Sequence, residues 1–208
     1  MTTRRPLAAL PHAEPGMRIG LLGGSFNPPH AGHRHVSVEA MRRLGLDQVW
    51  WLISPGNPLK SHDGLPSIEE RIAAAIDVSA HPRIIVTGFE QALGSPYTAE
   101  TLGTLKRRLP LVRFVWLMGA DNLAQIHRWR QWQRIFATVP VAVLDRPGWR
   151  HKALACPAAS LLRHRQLPEA EARALALAAP PAWAFLSIQL SSLSSTELRR
   201  QRSRRRHR

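Results

Sequence analysis

The chain has 208 residues, 44 % of them apolar and 21 % charged, enough to bury the core of one domain without covalent staples. Its single cysteine, Cys156, excludes an intrachain disulfide framework, and no apolar run approaches the roughly 18 residues of a membrane span, so a soluble cytoplasmic protein is expected. The formal net charge of +15 invites a nucleic-acid reading, but seven arginines of that excess crowd into residues 198–208, a like-charge block that reads as a solvated tail touching RNA only non-specifically.

Residues 1–16 carry three prolines and few large apolar side chains, and read as a mobile leader. Residues 19–22 are a buried first strand, followed by the string G-G-S-F-N-P-P-H-A-G-H at 23–33. Val36, Ala40, Met41 and Leu44 then recur at helical spacing, with Gly45 as the stop. The apolar, aromatic run 48–54 predicts a second strand; Pro55-Gly56-Asn57-Pro58-Leu59-Lys60 breaks regular structure into a loop bearing a cation. Ser67 and Glu70 have the spacing of a capping box opening a helix to residue 79. Strand 83–87, helix 97–108, strand 112–118, a helical turn from Gly119-Ala120-Asp121-Asn122, and strand 139–144 follow. Residues 146–182 say less, beyond an alanine-rich helix at 169–179, and 183–189 is a late short strand. Strands alternating with helices imply right-handed β-α-β units: a Rossmann-like α/β fold, a parallel sheet with helices on both faces, binding its ligand beyond the carboxyl ends of the strands.

Residues 23–33 are organised for phosphate. The glycines let backbone N–H groups come close to an anion, and the following helix start adds unpaired N–H groups and its positive dipole end. His30 and His33, three apart, face the same way on a helix start and are expected to face ligand rather than core; a neutral ring donates one N–H and a protonated ring two. A zinc reading of His30, His33 and His35 fails for want of a cysteine or carboxylate at ligand spacing. A second phosphate seat is spelled by Leu193-Ser194-Ser195-Thr196-Glu197-Leu198-Arg199, where Ser194 and Glu197 again have capping-box spacing, with hydroxyls and Arg199 close by.

The H-x-G-H string behind its G-G-S-F-N-P turn resembles the nucleotidyltransferase superfamily of adenylyltransferases and class I aminoacyl-tRNA synthetases, and residues 193–199 resemble the I-S-S-T-x-x-R signature, with Leu193 in place of Ile. Pro58-Leu59-Lys60, Ser95-Pro96-Tyr97-Thr98, Gly119-Ala120-Asp121-Asn122, Trp129 and Arg146-Pro147-Gly148 narrow the resemblance to bacterial nicotinate-nucleotide adenylyltransferase, from about residue 17 to 199. It departs at Leu59, where the family has a histidine, and at Arg130, where an aromatic often follows the tryptophan.

The resemblance implies a single nucleotidyltransferase domain at 17–200, after a leader at 1–16 and before a basic disordered tail at 201–208. It implies adenylyl transfer from ATP to nicotinate mononucleotide, with Mg2+ carried mainly by ATP phosphates and no protein metal site. His30, His33 and Arg199 are the catalytic set; Gly23, Gly24, Ser25, Phe26, Gly119, Asp121, Ser194, Ser195 and Thr196 bind ATP and its phosphates; Lys60, Tyr97, Thr98 and Trp129 receive the nicotinate nucleotide. Trp132, one turn on, reads as core. Two other functions stand beside this one: phosphopantetheine adenylyltransferase, which shares both phosphate signatures, and an RNA-binding protein acting through the arginine tail. Neither oligomeric state nor a membrane partner is specified by these residues.

Overall fold

The computed structural model describes residues 9–55 and 65–188. The Lys60 loop, the seat formed by Ser194, Ser195, Thr196 and Arg199, and the tail at 201–208 lie outside the described residues.

The elements run β1 (Arg18–Gly24), α1 (Ala31–Leu44), β2 (Gln48–Ile53), α2 (Ile68–Ser79), β3 (Ile84–Thr87), α3 (Phe89–Ala92), α4 (Thr98–Arg108), β4 (Arg113–Gly119), α5 (Ala120–Leu123), α6 (Trp132–Thr138), β5 (Val141–Leu144), α7 (Arg150–Leu154), α8 (Pro157–Leu161), β6 (Gln166–Leu167) and β7 (Trp183–Leu186). Three 3-10 segments, Ile126–Arg128, Arg163–Arg165 and Glu169–Leu177, complete the elements of the described residues. The strands form one seven-stranded sheet in the order β3-β2-β1-β4-β5-β7-β6, every pairing parallel.

Alternation along the strands splits the core in two. Leu21, Trp50, Trp116, Val143 and Phe185 face α4, α5 and α6 through Leu102, Leu105, Leu123 and Ile135. Leu22, Trp51, Leu117, Ala142 and Leu144 face α1, α2 and the Glu169–Leu177 segment through Met41, Leu44, Ile72 and Leu175. Strands covered on both faces have to be apolar at nearly every position, which is why β2 and β4 read as continuous runs. The chain winds outward from β1 through β2 to β3 over one face, then returns across the other to β4, beside β1. Connections from β1 and β4 therefore leave in opposite directions and open a crevice between them.

Local signals set the helix ends. Ser67 Oγ accepts from the Glu70 N–H at 3.1 Å while the Glu70 carboxylate accepts from the Ser67 N–H at 2.8 Å, the expected capping box. Pro140 has no N–H for a ladder, and β5 starts at Val141 rather than at 139. The expected helix at 169–179 is a 3-10 stretch ending at Leu177, its Glu169 carboxylate taken up by Ser187 and Arg43. The expected mobile leader is corrected for residues 9–16. Thr87 Oγ1 donates to the Ala9 carbonyl at 3.1 Å, the Gly16 N–H donates to Leu111 at 2.9 Å, and Leu10 and Ala13 pack on the core. No described helix is long and apolar enough to cross a membrane.

Glu90, on α3, is 3 % exposed and accepts a hydrogen bond from Thr101 Oγ1 of α4 at 3.1 Å. Burial pushes its carboxyl up from 4.5 to about 7, only partly opposed by that bond. Between those values the folded chain holds a proton that the unfolded chain has released, so this contribution to stability is full below pH 4.5 and lost as pH rises through about 7. Glu90→Gln is therefore expected to raise the thermal midpoint at pH 8 and to leave it nearly unchanged at pH 4.5. Calorimetric melts at the two pH values check this; an equal effect at both would contradict it.

Candidate active site

β1 delivers Gly23 and Gly24 to the carboxyl edge of the sheet, at the β1–β4 crevice. A Cβ on Gly23 would stand 2.4 Å from the Trp116 ring of β4, so only glycine lets the backbone lie over that indole. The chain then turns through Ser25 and Phe26, the latter at φ 46°, a left-handed conformation that a bulky residue keeps only when its surroundings hold it. They do: the Phe26 ring stacks on Trp51 at 5.0 Å and touches the His33 ring at 4.7 Å. Phe26 is thus a core side chain whose backbone is the part presented to the turn.

α1 begins at Ala31 with His30 as its N-cap. The two imidazoles lie 3.8 Å apart between centroids, on the same side as their spacing requires. The His30 N–H donates to His33 Nδ1 at 3.2 Å, so a neutral His33 carries its proton on Nε2, the tautomer following from that bond. The Trp51 indole N–H donates to Ser37 Oγ at 2.8 Å, and Ser37 in turn donates to the His33 carbonyl at 2.9 Å. Through its contacts with Phe26 and Trp51, His33 belongs to the packing beneath the turn. This corrects the expectation that it faces ligand alone.

His30 is 5 % exposed, and neither ring nitrogen has a partner among the described residues. Buried polar nitrogens without partners mark a place where a ligand group completes the bonding. Burial, with Arg146 as the lesser cause, lowers His30 to about 4. Burial, then His30, then Arg146, lower His33 to about 3. Both rings are neutral at pH 7. An arriving anion favours their protonated forms, so anion binding and proton uptake are coupled.

β4 ends at Gly119, the N-cap of α5, and Asp121 sits in the first turn rather than at the cap itself. A Cβ on Gly119 would meet Asp121 Oδ1 at 2.4 Å, so glycine is needed for the carboxylate to fold back there. That oxygen is buried and accepts no hydrogen bond among the described residues, although Arg146 Nε stands 3.4 Å away. Arg146 follows β5. Its neighbour Asp145 is engaged by Arg150 through two bonds, of 2.7 and 2.9 Å, so the Arg146 charge is not neutralised by Asp145.

The residues expected to receive the acceptor sit at the start of α4 and after the Ile126–Arg128 turn. Tyr97 caps α4 and Thr98 is its first residue, both half-buried, with the Tyr97 N–H donating to Ser95 Oγ at 3.3 Å. Trp129 ends the Ile126–Arg128 turn, half-buried against the core. The Arg130 guanidinium lies 4.5 Å over the Tyr97 ring, so the departure at 130 places a cation on the aromatic next to Trp129. Trp132 packs edge-on to Phe136 at 6.0 Å, as core.

Sequence reasoning gave Arg146 no role, although a cation directly after a buried strand at the carboxyl edge is a usable signal. It also passed over Arg71, an arginine on the apolar face that Ile68, Ile72 and Ala75 define. Among the described residues no group of three or more His, Cys, Asp or Glu side chains could cage a metal ion.

The chain matches the cytidylyltransferase-like family over residues 21–201. A relative from a Bradyrhizobium species, named probable nicotinate-nucleotide adenylyltransferase, is 57 % identical over 183 residues, 88 % of this chain and 95 % of that one. One of the same name from Methylorubrum extorquens is 56 % identical, covering 88 % of this chain and 99 % of that one. The fold also matches Plasmodium falciparum nicotinic acid mononucleotide adenylyltransferase complexed with NaAD, with a TM-score of 0.67 at 20 % identity over 88 % of this chain and 83 % of that one.

His33→Ala is expected to lower ATP-dependent turnover on the order of 10²-fold, the usual cost of losing an oriented donor, and also to lower the thermal midpoint, because the ring packs on Phe26 and Trp51. Steady-state assays and melts of the same preparation check both. A variant as stable as the parent would refute the packing role.

Proposed function

We propose a function on one premise, that the chain belongs to the nicotinate-nucleotide adenylyltransferases within the cytidylyltransferase-like family. It transfers the adenylyl group of ATP to nicotinate mononucleotide, giving deamido-NAD and pyrophosphate in NAD biosynthesis. The observation that carries the reading is the pair of imidazoles at the start of α1, His30 buried and His33 half-buried, 3.8 Å apart behind the Gly23–Gly24 turn.

A phosphate oxygen of the mononucleotide attacks the α-phosphorus of ATP. The new P–O bond forms as the bond to the bridging oxygen breaks, and pyrophosphate leaves with its electron pair. The attacking oxygen is already ionised, so no protein nucleophile or strong base is called for; the chain orients the reactants and stabilises charge. His30 and His33 donate to the triphosphate, His33 through Nε2–H. Backbone at Gly23, Gly24, Ser25 and Phe26 lines the nucleotide, with Gly119 at the other wall of the crevice and Asp121 accepting from a ribose hydroxyl. Arg146 adds a fixed cation beside the two rings. Ser194, Ser195, Thr196 and Arg199, which lie outside the described residues, are assigned to the triphosphate and its developing charge on the resemblance of their motif alone.

A divalent cation, Mg2+ in this reading, supplies charge screening at the phosphates when bound. In this reading the nucleotide carries it, since Mg2+ is held readily by phosphate oxygens. Tyr97, Thr98 and Trp129 surround the pyridine ring: Trp129 offers a stacking face, and Thr98 and nearby amides receive the carboxylate; Lys60, outside the described residues, is assigned to the same nucleotide from its loop motif alone. The reading assigns the chain to the cytoplasm, in keeping with a lone buried thiol, Cys156, that donates to the Leu123 carbonyl.

An acid-receiving site gains charge-assisted bonds from its donors, whereas an amide leaves some of them unpaired. Nicotinate mononucleotide is therefore expected to exceed nicotinamide mononucleotide in kcat/KM by at least roughly tenfold, the factor for about 1.4 kcal/mol. Trp129→Ala should raise the KM of the acceptor far more than that of ATP. Pyrophosphate release measured with each acceptor tests both points; release only with phosphopantetheine would overturn the substrate.

A further inference from the structure

Arg71, in the first turn of α2, is 3 % exposed, yet it forms no ion pair among the described residues. Its guanidinium spends its N–H groups on backbone carbonyls from separate parts of the chain. Nη1 donates to Ser25 at 2.9 Å and to Ser54 at 2.7 Å, Nη2 to Pro55 at 3.3 Å, and Nε to Pro66 at 3.1 Å. Ser54, Pro55 and Pro66 border the connection from β2 to α2, and a clamp on those alone would be a matter of folding. Ser25 belongs to a different connection, the turn between β1 and α1, 46 residues away in sequence.

That one contact has a directional effect. A trans peptide is rigid and planar, and its C=O and N–H point in opposite directions. Holding the Ser25 carbonyl against Arg71 turns the Phe26 N–H of the same plane away from Arg71. The Phe26 ring, locked between Trp51 and His33, fixes the other side of the residue in its left-handed conformation. No acceptor for the Phe26 N–H is found among the described residues. An outward N–H in a left-handed turn, with no protein acceptor, is an anion donor. A neutral side chain of similar volume would fill the same space without the cost of desolvating a charge. It would leave the Ser25 carbonyl free to rotate.

We propose that Arg71 is a positioning residue that, through the Ser25 carbonyl, aims the Phe26 N–H at an anionic group of the bound nucleotide. This rests on the reading that the turn at 23–33 receives phosphate, and it assigns that turn a support outside its own motif. The test uses the full chain, 15N-labelled, as the parent and as Arg71→Lys, which keeps a cation but loses the planar fork, and Arg71→Met, which loses both. Melts establish that each is folded. In the parent, ATP should move the Phe26 amide resonance downfield. In both variants that movement should shrink to less than half, and kcat/KM for ATP should fall at least tenfold, with the acceptor KM changed less than twofold. Variants that keep the parental shift and the parental kcat/KM would overturn the role of Arg71 while leaving the phosphate site standing. Loss of folding in both variants, or an equal rise in both KM values, would assign Arg71 to the fold alone and also overturn it. A parent whose Phe26 amide ignores ATP would instead remove the phosphate reading itself.

Discussion

Where β1 crosses the Trp116 indole, a single methyl group on Gly23 would stand 2.4 Å from the ring. That close approach lets the Trp116 ring of β4 lie across β1 beside their hydrogen-bonded seam, and the winding of the sheet reverses at this pair. On one side the chain leaves through Phe26 and the two histidines; on the other it leaves through Gly119 and Asp121. A wider seam would separate the imidazoles from Arg146, whose charge they feel, and Arg146 from the carboxylate 3.4 Å away. The site is therefore a property of the strand spacing as much as of the side chains that line it.

Much of the sheet was legible because doubly covered strands announce themselves as apolar runs, and the helices because they carry their own caps. Ser67 with Glu70 and the stop at Gly45 are local chemistry, independent of the rest of the fold. What escaped was decided at longer range. β6 is two residues long and exists only as an edge on β7. The Glu169–Leu177 segment has the composition of an α-helix, yet it is tied by its first carboxylate to Ser187 and Arg43 and winds more tightly. Residues 9–16 carry few large apolar side chains, and they are held by the Thr87 hydroxyl, which donates to Ala9, and by the Gly16–Leu111 backbone bond, which no pattern in the sequence foretells.

For the site, the phosphate turn was visible as a string because glycine and histidine at those spacings have few other uses together. Its support was not. Phe26 reads as part of the ligand motif and is a core aromatic; His33 reads as a ligand group and also packs on Trp51. Arg71 shares the apolar face of α2 with Ile68, Ile72 and Ala75, which marks it as buried, but only the folded contacts reveal its carbonyl partners, and those of Glu90 likewise. Arg130 stood out as a departure from a pattern, but its place over Tyr97 is a fact of the fold.

The uniform direction of the strands has a further consequence. Every strand-to-helix connection opens on one rim of the sheet and every return enters on the opposite rim. The short returns around Leu46, Pro82, Pro110 and Pro140 lie on the rim away from the crevice, where Leu46 packs in the core and Leu111 holds Gly16. Sequence on that rim is thus released from the chemistry and answerable to packing and hydrogen-bond phasing. It can drift, lengthen or accept a fused domain over evolutionary time, whereas a change of similar size on the facing rim would be read at once as a change in turnover.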